Sequence, residues 1–289
     1  MSAVEVKDIL TKSFVKIDIN DTVSKMIGKL KKAKKYYGLA FDKGKYLGFV
    51  GKRFLLTNRI NPSVMKVKNI LKKRSKSKTP FFVPVLKPET SLQEACRLIA
   101  SADVRALPVM DKSKKIIGVL DAIDIAKAIK DEYKGIPCVE LASMKLVKVK
   151  YDERMDRVFN LMNRKNIDHI PVVDEKNRII GLIAMGDIME EYHVWEKFVA
   201  QKIPKSVTHG SGKQTCYEHG EKISILSVPV ENILIKNVCT INPDKDIKTA
   251  LQKMIKSDKS SVILVEDKEP VGILTLRDVF LDYSKAKLK

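Results

Sequence analysis

Three aspartates in this chain stand six residues beyond a glycine: "GVLDAID" ends at Asp124, "GLIAMGD" at Asp187 and "GILTLRD" at Asp278. In each phrase the apolar residues read as a strand and the aspartate opens a helix. A carboxylate at such a junction has two uses. It can cap the helix by accepting backbone N–H bonds. Ionised, it can instead accept from two neighbouring sugar hydroxyls, as the acidic residue of dinucleotide-binding folds does. The adjoining helix N-terminus offers free N–H groups and a positive dipole end suited to phosphate. Thr275 adds a hydroxyl in the last phrase. At the same place Ala184 stands in the middle phrase, where Gly186 leaves backbone room, and Asp121, which would repel a phosphate, stands in the first. A fourth copy, "GFVGKRF" from Gly48, has Gly51 and Phe54 and so no acid acceptor.

These phrases close a larger repeated unit. "VKDIL" begins at Val6, "VKNIL" at Val67 and "VENIL" at Val230, with a weaker "VELAS" at Val139. Each lead-in precedes a β-rich stretch, from Phe14, Phe81, Lys145 and Asn237. Each stretch precedes apolar residues at i, i+3, i+4 and i+7: Val23, Met26, Ile27, Leu30; Leu92, Ala95, Cys96, Ile99; Met155, Val158, Phe159, Met162; Ile247, Ala250, Leu251, Met254. That spacing is one face of a helix. Asn20 and Asp21, Glu89 and Thr90, Asp152 and Glu153, and Asp244 are the expected caps. Apolar strands follow: "GLAF" from Gly38, "LPVM" from Leu107, "IPVV" from Ile170 and "VILV" from Val262. The expected fold class is α/β, with four strand-helix-strand-strand-helix repeats. Their expected bounds are residues 1–60, 61–135, 136–194 and 228–289, with an insertion over 195–227. A unit of about 60 residues is marginal alone. Repeats one and two should therefore pair, and three and four.

The chain has 289 residues, 44% of them hydrophobic and 6% aromatic, which is the composition of a globular protein with room for real cores. No apolar run is long enough to span a bilayer, and the first residues lack a signal-peptide core, so the expected location is the cytoplasm. Cys96, Cys138, Cys216 and Cys239 form no CxxC pair and read as reduced thiols. The net charge of +20 is uneven: residues 1–80 carry +16 and the rest +4. A charge run of this kind is either a solvated face or a surface for an anionic partner.

Four repeats in register resemble a protein with four CBS domains, the repeats named after cystathionine β-synthase, arranged as two Bateman modules. The resemblance rests on the V-x-[DN]-I-L lead-in, the "LPVMD" and "IPVVD" strands and the glycine-to-aspartate phrase. It implies a regulatory protein, not an enzyme, that binds an adenosine-containing ligand (AMP, ADP, ATP or S-adenosylmethionine) in clefts between paired repeats and signals to a partner, with assembly as a homodimer among its implications. On that resemblance Asp278, Asp187 and Asp124 become ribose acceptors and Thr275 a hydroxyl beside them, ranked with the fourth repeat first. The family's phosphate-facing basic residues would be Arg105, His169 and Lys259.

Other motifs fail their patterns. "HGSGKQT" from His209 has Val207 and Gln214 where a phosphate-binding loop needs glycine and a hydroxyl. His209, Cys216 and His219 lack an evident fourth metal ligand. No catalytic constellation stands out, so neither a metal nor a catalytic cofactor is expected. The alternative function is nucleic-acid binding by the basic first module, through Lys31, Lys32, Lys34, Lys35 and the cluster Lys72, Lys73, Arg74, Lys76 and Lys78. Tyr36 and Tyr37 would then stack on bases or else simply pack; an acidic protein is the other anionic partner expected there.

Overall fold

The computed structural model describes residues 4–51, 63–71, 83–165, 167–184 and 229–285. The first repeat opens with a short lead-in helix, α1 (Val6–Ile9), followed by β1 (Lys16–Asp18), α2 (Val23–Lys32), β2 (Tyr37–Asp42) and β3 (Lys45–Gly51). The second holds α3 (Val67–Ile70), α4 (Leu92–Ala102), β4 (Ala106–Met110), β5 (Ile116–Asp121) and α5 (Ala122–Ile129). The third holds β6 (Val149–Lys150), α6 (Met155–Lys165), β7 (His169–Val173) and β8 (Ile179–Ala184), and the fourth β9 (Thr240–Ile241), α7 (Ile247–Ser257), β10 (Ser261–Glu266), β11 (Glu269–Thr275) and α8 (Leu276–Lys285). The architecture is mixed α/β.

Within a repeat the first strand runs parallel to the second, and the third pairs antiparallel to the second. In the second repeat the first strand shrinks to a single bridge, Leu86 with Val109. All four hairpins shift register at the same place, after Ala40, Val109, Val172 and Leu264. The helix faces read from the spacing are the buried ones: Val23, Met26 and Leu30, then Leu92, Ala95, Cys96 and Ile99, then Met155, Val158 and Met162, then Ile247, Ala250, Leu251 and Met254. Each fully buried large apolar side chain contributes roughly 1.5–3 kcal/mol. The caps differ from expectation. Thr22, Ser91 and Asp246 accept from Lys25, Glu94 and Thr249 amides. A cap must directly precede the first helical residue, and the polar residues predicted for the role lie too far upstream. Asp21 instead takes salt bridges from Lys25 and Lys29, both 2.7 Å.

The lead-in segments are exchanged. The Val6 amide donates to Thr90 and Thr11 pairs with Val119, so the first repeat's lead-in lies on the second. The Val67 amide donates to Asp21, which puts the second repeat's lead-in on the first. Likewise the Cys138 amide donates to Lys245 and Ser143 pairs with Ile273, while the Val230 amide donates to Glu153 and Ile235 pairs with Leu182. The third lead-in thus starts at Cys138, not Val139. Cys138 is buried where Val6, Val67 and Val230 are buried, and Val139 is exposed.

The chain divides into two units, residues 1–146 with 239–289, and residues 147–238. In the first unit the sheets of repeats one and two face each other through Tyr37, Leu39 and Phe49 against Ala106, Ile116 and Val119. Repeat four joins this unit through helices: α4 packs along α8, and α5 with the turn after it packs on α7. The hydroxyl of Tyr133 donates to Asp282 Oδ2 at 2.9 Å, and that of Tyr283 donates to Glu132 Oε1 at 3.1 Å, so the helix interface carries two crossed tyrosine–carboxylate bonds. The second unit contains the sheet β6–β7–β8 and helix α6, with residues 229–238 laid on them.

Candidate functional site

The glycines of the repeated phrase make room for the exchanged lead-ins. A Cβ built on Gly118 would lie 2.5 Å from Leu10 Cδ1 and 2.7 Å from the Thr11 carbonyl oxygen. On Gly272 it would lie 2.8 Å from the Met144 sulfur, and on Gly48 3.0 Å from Leu71. On Gly181 it would strike Leu234. The glycine is therefore a packing requirement, and the residues that follow it are delivered to the helix start at a fixed register.

In the fourth repeat that register builds a capping box. Thr275 directly precedes α8 and Asp278 is its third residue. The Asp278 amide donates to Thr275 Oγ1 at 3.3 Å, while the Thr275 amide and hydroxyl both donate to Asp278 Oδ2, at 2.9 and 2.6 Å. Asp278 is half-buried, and no described residue donates to its Oδ1. Among the described residues the carboxylate is thus oriented through one oxygen while the other is uncontacted.

The second repeat places its acids differently. Asp121 caps α5, accepting from the Ile123 amide at 3.0 Å, and is almost wholly buried. It also accepts from the Tyr37 hydroxyl at 2.8 Å. Burial, and then the Asp121 charge, push the Tyr37 hydroxyl far above its usual range, so it remains a donor. Asp124 accepts from the Thr11 hydroxyl at 2.8 Å through Oδ2, and from Lys127 Nζ at 3.1 Å through Oδ1. Both of its oxygens are engaged, one of them by the exchanged lead-in.

The basic candidates do not share one position. The Arg105 carbonyl accepts from the Ala122 amide and the Ser260 carbonyl from the Leu276 amide, both at 2.9 Å, so Ser260 is the counterpart of Arg105. Lys259 stands one residue earlier in its repeat. His169 opens β7 and pairs with Ala184, as Ala106 opens β4 and pairs with Asp121. Arg105 leaves its own repeat. Its guanidinium lies 4.7 Å from the Tyr36 ring centre and bonds both the carboxylate and the carbonyl of Asp258, which ends α7 in a left-handed conformation. Two residues further on, the Ser260 carbonyl bonds the start of α8, so Arg105 is brought to a loop that lies beside Thr275 and Asp278. Asp187, Phe54, Gly186, the cluster Lys72 to Lys78, the insertion 195–227 and the set His209, Cys216 and His219 lie outside the described residues. Tyr36 and Tyr37 pack on Arg105 and Asp121 and are not open stacking platforms.

Thr11 and Asp258 act at these junctions without any sequence signal that singles them out, and Tyr37, which the sequence offers as a stacking or packing residue, bonds Asp121. Thr11 had one faint sign: a hydroxyl stands at its place in the third lead-in too, as Ser143. Among the described residues no helix is long and apolar enough to cross a membrane, and no group of three or more His, Cys, Asp or Glu side chains could hold a metal ion.

Comparison with known proteins bears on the repeats directly. The model of the CBS domain matches residues 79–131, 139–194 and 230–284, more than half of the chain. An uncharacterized protein of Methanocaldococcus jannaschii is 24% identical over 282 residues, which is 95% of this chain and 60% of that protein. The L-aspartate semialdehyde sulfurtransferase of the same organism is 30% identical over 142 residues, 47% of this chain and 27% of the enzyme. The chain thus spans less than two thirds of either relative. The crystal structure of protein MJ1225, also from M. jannaschii, superposes with a TM-score of 0.78 at 18% identity, covering 97% of this chain and 100% of that one, which is a likeness of fold. The matched repeats, their common hairpin register and their shared phrase agree: this chain belongs to the CBS domain family.

Proposed function

We propose that the chain carries four CBS domains grouped as two modules, with the bounds read from the sequence, and that it is a regulatory sensor rather than an enzyme. Its ligand is an adenosine-containing molecule, AMP, ADP, ATP or S-adenosylmethionine, taken first at the strand-to-helix junction of the fourth repeat. The observation that carries this reading is the Asp278 carboxylate, held in place through Oδ2 by Thr275 while no described residue donates to Oδ1. An ionised carboxylate so fixed accepts from both hydroxyls of a ribose, each charge-assisted bond contributing roughly 1.5–3 kcal/mol. The Thr275, Leu276 and Asp278 amides at the start of α8 are already engaged, so the attraction for a phosphate there comes from the positive end of the helix dipole and from Lys259, in the loop whose Ser260 bonds the helix start. Asp187 and His169 are the corresponding candidates of the third repeat. Asp124 ranks last, because binding a diol there means displacing Thr11.

Signalling requires that the ligand favour one arrangement of the repeats over another. In the first unit the Arg105–Asp258 tie connects the second repeat to the loop beside Asp278, so a ligand that changes that loop acts on a contact between repeats. The first test is unfolding of the purified chain with each of the four ligands. A ligand present at about 100 times its Kd stabilises the native state by about 2.7 kcal/mol. A rise in midpoint that shrinks by about half or more in Asp278→Asn supports the reading, and no rise with any of the four removes it.

A further inference from the structure

We propose that the first repeat bears a second binding surface, one for single-stranded nucleic acid, built on the rings of Phe14, Phe41 and Tyr46. This surface is independent of the ligand site. The rings form a continuous row: Phe14 and Phe41 are stacked with centroids 6.3 Å apart, and Phe41 meets Tyr46 edge-on at 5.9 Å. The row prolongs the apolar face by which the first sheet packs on the second, and its members are half-buried. Lys16 sits over it, its Nζ 5.6 Å from the Phe14 centroid and 6.0 Å from that of Phe41. Three more exposed lysines flank it: Lys12 just before Phe14, and Lys43 and Lys45 at the turn joining β2 to β3. None of the four makes an ion pair with a described residue. The acid that faces Phe41 across the strands, Asp18, has one oxygen engaged by the Asn20 amide.

Rings interleaved with cations that no described acid pairs fit a polyanion that also carries flat faces. Bases stack on aromatic side chains whatever their sequence, and lysines follow the phosphates. An acidic peptide would use the lysines and leave the rings idle. A duplex keeps its bases stacked on each other and has no face to offer. Tyr37 is buried, and the Arg105 that covers Tyr36 is pinned by Asp258, whereas the Lys16 over the row is exposed and bonded to no described acid, so the aromatic part of the surface falls to this row.

The test is fluorescence anisotropy of the full chain with a labelled single-stranded oligouridylate of about 15 nucleotides, a duplex RNA of equal length and polyglutamate, over a salt series. Four lysines on phosphates predict a slope of log K against log salt of about −3 for the single strand. Lys16→Glu/Lys43→Glu/Lys45→Glu should abolish most of that slope. Phe14→Leu should weaken the single strand by about tenfold, the loss expected when one stacked base loses its platform, and leave polyglutamate unchanged. Lys31→Glu/Lys32→Glu/Lys34→Glu, an equal charge change on the helix side, is the control and should cost less than the first triple variant. If Phe14→Leu fails to fold, the two triple variants, all on exposed side chains, decide between the ring face and the helix face. Equal binding of duplex or polyglutamate, equal losses in the two triple variants, or no binding of the single strand at about 50 mM salt overturns the proposal.

Discussion

The hydroxyl of Thr11 lies 2.8 Å from Asp124 Oδ2, tying the start of the chain to a helix more than a hundred residues away. Asp278, at the same place in the fourth repeat, accepts, among the described residues, from Thr275 of its own repeat alone. One phrase of sequence thus yields two carboxylates of different availability. The first is a latch for an exchanged segment, and the second is a carboxylate oriented and half free.

The latch makes a prediction about stability. Thr11→Val keeps the shape of the side chain and removes the bond to Asp124. It should lower stability by about 1 kcal/mol, the net contribution of such a bond. A urea unfolding series, read as a shift in midpoint at constant slope, measures it.

The phrase glycines make another. Gly118→Ala drives a methyl against Leu10 and the Thr11 carbonyl and should destabilise by about 1–3 kcal/mol, as overpacking does. Gly28 lies on α2 with nothing within 4 Å of an added Cβ. Gly28→Ala should therefore stabilise by about 0.5–1 kcal/mol, by helix propensity alone. The opposite signs in the same unfolding assay are the check.

A third prediction concerns pH. Hydrogen bonds from Lys248, and then from Lys130, hold the Asp131 carboxyl down to about 2 against the usual 3.8. A depressed carboxyl stabilises the fold above its unfolded value and loses that contribution as pH falls through its folded value. Wild type should therefore melt above Asp131→Asn at pH 5 and higher, and the gap should close between about pH 4 and about pH 2. Thermal melts of both proteins across that window measure it; a gap that is constant with pH contradicts the assignment.

The sequence made the repeats legible because each of their rules is local. Helix faces at i, i+3, i+4 and i+7, short apolar strands and a glycine at a constant place need no tertiary knowledge. What escaped was set by contacts distant in the chain. The exchange of lead-ins left no local trace, so the third lead-in was read one residue late, on the exposed Val139 rather than the buried Cys138. Arg105 looked like a phosphate ligand of its own repeat because only its residue type was visible. Its tie to Asp258, 153 residues later, belongs to the packing of repeat two on repeat four. The caps fall one or two residues from their expected places because more than one polar residue stands just before each helix, and only the helix start distinguishes which of them caps.

The claim on which the functional reading depends is that Asp278 accepts a ribose while Asp124 does not. Titration calorimetry of the full chain with AMP, ADP, ATP and S-adenosylmethionine, repeated on Asp278→Asn and Asp124→Asn, tests it most directly. Binding by the wild type should fall about 10- to 100-fold in Asp278→Asn and stay within about twofold in Asp124→Asn, where no ligand bond is lost. Unchanged affinity in Asp278→Asn, or a loss confined to Asp124→Asn, would contradict the account.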